Sequence, residues 1–358
     1  MMVLMVLYFG LRTRGDGNTN DALWLPDRMA LRFQGSGIAY VDDLEISRLN
    51  RKIDSLTIEM VIKPGRNQRQ GFGPLLLLHD GNDQRQVAIW QYKDSLIVMN
   101  GNDYSNALRW PRITGMHILR PNQIRYLTIT ASKENGTRLF VNGKPVATKK
   151  DWCLRIPLES QPLRLVLGNS VYGNHGWIGD IYGLEIAEKA ISSEQVRARY
   201  EKWVEDKSVP LLEPDLPEQI IKFNQQLWSQ PSDASLVGSL LNIPSDVVAL
   251  EKAVLSTPQA YFKLNRVTIA DISLNIFGFV PLGAMLFAYL GSCHGFDGSR
   301  KWITLAFCGT LSLGIELAQA WIPTRFSTLL DLILNTIGAW IGIELLYWIL
   351  KLKGHDSA

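Results

Sequence analysis

Six acid and amide side chains, set in pairs at helical spacing within apolar sequence, are the residues of this chain best placed to do chemistry. Asp271 and Asn275 are four apart, Glu316 and Gln319 three apart, and Asp331 and Asn335 four apart, so each pair shares one face of a helix. Such groups are costly in apolar sequence and face a protein interior or a watered cavity rather than lipid. Arg325, in the short loop IPTRFS, is a cation that could pair with carboxylates or grip an anionic head group. Alternatively the groups are glue between helices, each hydrogen bond contributing about 1 kcal/mol. Glu344 fits neither reading, since it lies about half a turn from Asn335 around its helix.

The first half of the chain offers weaker signals. Trp90, Tyr92, Trp110, Trp152, Tyr172 and Trp177 could stack on sugar faces or fill a core. Asp80, Asn82 and Asp83 could supply oxygen ligands to Ca2+, although Asp-Gly-Asn-Asp is also ordinary turn chemistry. His79 and His175 lack Cys or His partners at zinc spacing. Glycoside hydrolysis needs two carboxylates about 5 to 10 Å apart. No strand shows a Glu-x-Asp-x-Glu arrangement, and Asp180 and Glu185 are expected at turns and on the surface. A Gly-rich phosphate loop followed by Lys and Ser/Thr is missing. The net charge of +3 and the lack of a long Lys/Arg run argue against a nucleic-acid partner. Cys153, Cys293 and Cys308 cannot build a disulfide framework, so packing roles are expected.

The elements that position these residues fall into two kinds. Residues 22–204 carry short β-rich runs between Gly, Asn and Asp turns, the pattern of an all-β sandwich. In SLTIEMVIK (55–63), Leu56, Ile58, Met60 and Ile62 alternate toward a core while Thr57 and Glu59 face elsewhere. Asn142-Gly143 predicts a type I′ hairpin, and a closing helix over 192–203 is capped by Ser192 or Ser193. Residues 205–265 hold six prolines and read as a connector with short helices. Its Trp228, Tyr261 and Phe262 suit a membrane surface.

Within residues 266–354, the segments 272–293, 302–322 and 326–350 are each long enough to cross about 30 Å of hydrocarbon at about 1.5 Å per residue. Because the chain reverses at each loop, the six polar groups converge near one surface. Arg300, Lys301, Lys351 and Lys353 mark the inner side against Lys263, Arg266 and Arg325 on the other. The bias is slight, and the expectation of a multi-pass protein with its sandwich outside the cell membrane rests more on the resemblance given below than on this charge count. Residues 1–21 open on MMVLMVLYFGL, roughly half of the about 20 residues a crossing needs. They read as a clipped first membrane helix or a frayed apolar tail.

Two resemblances follow from these residues. Asp271 and Asn275 ahead of Phe279, Pro281 and Gly283, then Glu316 and Gln319, Arg325, and Asp331, Asn335 and Gly338 resemble the VanZ-like family, which usually has a further membrane helix. That resemblance implies a role in the cell envelope and, in one branch, glycopeptide resistance. MALRFQGSGIAYV, TIEMVIKP, LTITASKENGTRLFVNGKPV and LVLGNSVYGNHGWIGDIYGLEIAEKAISSEQVRARY resemble laminin-G/concanavalin-A-like jelly rolls. These bind glycans and sometimes calcium, though such folds host many functions. The expected protein is therefore a jelly-roll sandwich joined to an all-α transmembrane domain. The leading expectation is a non-enzymatic envelope protein whose partners are membrane lipids and a glycan or envelope polymer. The alternatives are a membrane enzyme acting on a lipid-linked phosphate or sugar, with or without a divalent metal, and a structural assembly protein.

Overall fold

A computed structural model describes residues 2–11, 19–28, 30–44, 55–66, 71–103, 106, 108–157, 163–206, 219–223, 241–245, 254–257, 266–294, 298–322, 325 and 327–355. The chain divides into two compact units, Gly17–Leu250 and the pair Met1–Asp16 with Glu251–Ala358.

The first unit is a sandwich of two antiparallel sheets. One runs in the order β1 (Leu23–Leu25), β2 (Ala30–Gln34), β13 (Ile178–Ala187), β4 (Ser55–Pro64), β9 (Arg125–Ser132), β10 (Gly136–Val141) and β11 (Lys144–Lys149). The other runs β3 (Ala39–Leu44), β12 (Leu163–Leu167), β5 (Phe72–His79), β6 (Val87–Tyr92), β7 (Ser95–Asn100) and β8 (Arg112–Gly115). Leu56, Ile58, Met60 and Ile62 of β4 all point into the core between the sheets, as period-two alternation requires. Asn142 and Gly143 both take positive φ, 51° and 74°, making the tight turn from β10 to β11 whose handedness suits twisted strands.

The opposite face of β4 is not open. Helix α2 (Ser193–Asp206) lays Tyr200 and Trp203 against Val61 and Tyr126. Its start is a reciprocal capping box: Ser192 N–H donates to Gln195 Oε1 at 2.8 Å, and Gln195 N–H donates to Ser192 Oγ at 3.3 Å. Under α2, Arg199 meets Glu59 Oε2 at 2.6 Å and Glu185 Oε2 at 3.0 Å, while Thr128 Oγ1 donates to Glu59 Oε1 at 3.0 Å. Asp180 is held by Arg32 through two bonds of 2.7 and 2.9 Å. Asp180 and Glu185 are therefore buried strand residues, at 4% and 1% exposure, and not the turn and surface residues expected. A strand has two faces, and here arginines and a docked helix line the second one.

Part of the region read as connector belongs to the sandwich. Strand β14 (Gln219–Phe223) pairs with Leu184–Ala187 of β13, beyond the point where β2 stops at Ile181. The β-branched QIIKF run suits that open edge. Asn242 bridges Tyr40 of β3 through both backbone bonds. Trp228, Tyr261 and Phe262, and the short helices expected here, fall outside the described residues.

The second unit holds α1 (Met2–Leu11), α3 (Arg266–His294), α4 (Gly298–Ala320) and α5 (Leu329–His355). The last three are long and apolar enough to cross a membrane, over Ile269–Ser292, Gly298–Ala320 and Leu329–Leu352. They expose large apolar side chains such as Leu274, Phe277, Trp302, Phe307 and Trp348, the reverse of a water-soluble helix surface. Helices α3 and α5 meet through Gly283, Gly338 and Gly342, whose missing side chains let the two backbones touch. The ten residues of α1 span about 15 Å, and Met2, Val3, Val6, Leu7 and Leu11 pack on Phe279, Leu282, Cys308 and Ile315.

Candidate functional site

The turn from α4 into α5 organises the polar groups of the helical unit. Thr328 caps α5, its Oγ1 accepting from Asp331 N–H at 3.0 Å. Glu316 Oε2, one helix away, accepts the Thr328 N–H at 2.9 Å. Residues 255 and 256 brace the same turn: Ser256 Oγ and N–H both donate to the Ser327 carbonyl, and Leu329 N–H donates to the Ser256 carbonyl. Across from this turn, Asn275 of α3 donates to Asp331 Oδ1 at 2.5 Å. One turn deeper, Asn335 Nδ2 donates to Ser312 Oγ at 3.0 Å, joining α5 to α4. Arg325 is an electrostatic neighbour of both Glu316 and Asp331, and Asp271 of Asp331.

Asp271, Asn275, Glu316, Arg325, Asp331 and Asn335 thus gather at the facing ends of three helices. Gln319 turns elsewhere. Its Nε2 donates to the Gly10 carbonyl at 2.8 Å, tying down the last turn of α1. Glu344 takes both its oxygens to Lys301 Nζ at 2.9 Å, and that ammonium lies 3.5 Å from the Tyr347 ring centroid. This resolves its position as one half of an ion pair. Sequence reasoning missed Thr328, Ser312, Ser256 and Ser327. The Thr-x-x-Asp spacing of Thr328 and Asp331 was a legible capping signal, but nothing local marks Ser256.

In the sandwich the candidates separate by burial. Trp177 is fully buried, its Nε1 donating to Gln91 Oε1 at 2.7 Å, and Trp90 is 1% exposed. Neither presents a ring face, so the stacking role expected of both is corrected: Trp177 lies in the core between the sheets, and Trp90, turned by the alternation of β6 to the other face of its sheet, is buried in a second apolar cluster. Tyr92, Trp110 and Tyr172 stay partly exposed. Tyr92 stacks on Phe72 at 4.3 Å with Lys93 Nζ 5.4 Å from its ring. Tyr40, Phe72, Tyr92 and Tyr172 all border the outer face of the six-stranded sheet, whose floor is Leu77, Ala88, Trp90, Ile97, Met99 and Val166. Trp110 lies apart, its backbone bonded to Asp103 and its ring over Gly101.

The Ca2+ candidates do not fit a cation. Asp80 is buried against Arg85, at 2.9 Å, Asn82 Oδ1 accepts the Gln84 N–H, and Asp83 accepts from His79 and Tyr172. Their oxygens turn to three different sets of protein donors, and among the described residues no three acidic, His or Cys groups gather as a metal would need.

His175, edge-on to Trp90 at 5.8 Å, is held below the ordinary imidazole range by burial. A base favoured in its neutral form contributes stability that is present above the unfolded value of about 6.5 and lost as pH falls toward the folded value. His175→Gln should flatten that acid slope. Hydrogen exchange of the sandwich amides on either side of pH 6.5 measures it, and parallel slopes in both proteins would contradict it.

Fold and site together define a two-part protein, an antiparallel jelly roll followed by a helical unit with three candidate membrane spans. The chain matches the VanZ/LLP1 family over residues 220–351 and the concanavalin A-like lectin/glucanases superfamily over residues 39–197. Its C-terminal part is thus similar to VanZ-like proteins and its N-terminal part to concanavalin A-like domains. The VanZ match opens at residue 220, inside the β14 range, whereas the helical unit resumes only at Glu251. No curated protein matches. Among solved structures, a putative carbohydrate binding protein from Bacteroides ovatus is 14% identical with a TM-score of 0.40, over 55% of this chain and only 50% of that protein. The sialidase CBM40 of Ruminococcus gnavus bound to α2,3-sialyllactose is 15% identical with a TM-score of 0.39, over 47% of this chain and 95% of that one. A SAP-like pentraxin from Limulus polyphemus is 19% identical with a TM-score of 0.32, over 52% and 78%. These likenesses are too distant to assign a ligand.

Proposed function

We propose that this is a cell-envelope protein whose three apolar helices all cross the membrane. Its sandwich lies on the extracytoplasmic side and recognises a glycan or envelope polymer. Its helix-end cluster receives the head group of a lipid or lipid-linked precursor. The observation that carries this reading is the gathering of Asp271, Asn275, Glu316, Arg325, Asp331 and Asn335 at one level of three otherwise apolar helices. Polar groups in such helices mark ligand or ion paths more than packing needs. On the sandwich, Tyr92 and Tyr172 beside an apolar sheet face supply the ring surface a sugar uses. Positive residues support the orientation, with Arg300 and Lys301 in the first turn of α4 and Lys351 near the end of α5.

Single cysteines at Asp271 and Asp331 should label from the same compartment as the sandwich. Labelling from opposite sides would remove the shared site. A catalytic reading is favoured by carboxylates beside an arginine. An Asp331→Asn or Glu316→Gln variant that inserts normally, yet loses turnover of a lipid-linked phosphate or sugar, would establish it. Unchanged turnover with altered head-group retention marks a binding site. A role in glycopeptide resistance belongs to the same reading, and requires tolerance to rise on expression and fall in Asp331→Asn.

A further inference from the structure

We infer that the helix-end cluster is built for a head group bearing a primary ammonium beside a phosphate, rather than for a purely anionic one. This rests on the head-group reading above and deepens it. The side-chain amides of Asn275 and Asn335 and the backbone N–H groups at the start of α5 each already make a bond within the cluster. Asn275 Nδ2 is taken by Asp331, Asn335 Nδ2 by Ser312, Thr328 N–H by Glu316 and Asp331 N–H by Thr328. Acceptors are in surplus, and Asn335 is the sharpest case. It is 5% exposed, and its Oδ1 has no hydrogen-bond partner among the described residues. Asn335 stands one turn from Asp331 on α5, and its Nδ2 meets Ser312, which is one turn from Glu316 on α4.

A buried carbonyl without a donor is disfavoured, and native structures supply one. Charge points the same way. Among the described residues Asp271, Glu316 and Asp331 stand with Arg325, and a cation brought by a ligand would offset acids held in apolar surroundings. A shared metal ion does not fit, since no three such groups gather around one point among the described residues. A primary ammonium brings three donors and one positive charge together, and the phosphate attached to it suits the planar fork of Arg325. An ethanolamine phospholipid and a phosphate-linked amino sugar on a lipid carrier share this chemistry.

The purified full chain, exchanged into equimolar phosphatidylethanolamine, phosphatidylcholine and phosphatidylglycerol of matched acyl chains, provides the test by native mass spectrometry. Choline keeps the phosphate and the positive charge but has no N–H. Glycerol has hydroxyl donors but no positive charge. Retention of phosphatidylethanolamine is expected to exceed both by about tenfold, the worth of one charge-assisted hydrogen bond. Asn335→Leu should bring the three to near parity, with Asp331→Asn as the second variant should the first fail to insert. Equal retention of phosphatidylcholine, as a buried water on Asn335 would produce, overturns the inference. Preference for phosphatidylglycerol also overturns it, yet leaves a head-group site in place. Indifference to all three, unchanged in both variants, removes the site as well. Competition by soluble phosphoethanolamine or by glucosamine phosphate then tells which source of the ammonium the site prefers.

Discussion

Replacing Arg199 by methionine is expected to destabilise the sandwich by about 3–5 kcal/mol, because it strands two buried carboxylates at once. Glu59 and Glu185 are each 1% exposed, sit opposite each other on β4 and β13, and share the Arg199 guanidinium. Methionine matches much of the stem volume, so packing of α2 on Val61 and Tyr126 is largely preserved and the loss isolates the charge. The triple change Arg199→Met, Glu59→Gln, Glu185→Gln should recover most of it, since removing a whole buried ionic group is often neutral while breaking it is not. Thermal unfolding of the three proteins decides this. A single variant within about 1 kcal/mol of the parent, the range of exposed ion pairs, would show that the network is solvated and not a buried one.

Gly342→Leu is expected to have the second large effect, in the helical unit. A Cβ at Gly342 would stand 1.9 Å from the Val280 carbonyl oxygen, and one at Gly338 2.2 Å from that of Ile276. In both cases the obstacle is backbone, so no rotamer change relieves it and α3 and α5 must separate. Overpacking of a tight seam costs about 1–3 kcal/mol where side chains can yield, and more where they cannot. Separation would also lengthen the bond from Asn275 to Asp331, which crosses the same pair of helices. Gly314, whose Cβ would meet nothing within 4 Å, is the matched control. Gly314→Leu should leave detergent stability near that of the parent while Gly342→Leu lowers it. Equal stability of the two would mean that the helices do not meet as described.

Much of the architecture was legible in the chain, for reasons that particular residues make plain. Leu56, Ile58, Met60 and Ile62 reached the core because strand alternation is a local property. Asn142-Gly143 made its turn because those residue types tolerate positive φ. The three candidate spans were readable because length and apolarity need no partner to be recognised. The acid and amide pairs were visible for the same reason, being polar where the surrounding sequence is not. Residues outside the helices were harder. Ser256 joins the α4–α5 turn at Ser327, 71 residues away, and no local pattern announces that.

What the sequence determined by itself was periodicity: which residues share a face of a helix or strand, and where polar groups interrupt apolar ones. What covers each face was decided only by the tertiary structure. Asp180 and Glu185 looked like surface acids until Arg32 and Arg199 came down on them. Trp90 and Trp177 looked like sugar platforms until packing on the two faces of the six-stranded sheet buried them, and Gln319 left the acid cluster for the carbonyl of Gly10. The physical reason is common to all five. Spacing along the chain sets the direction of a side chain, but its environment is set by residues distant in sequence, whose approach no local pattern encodes.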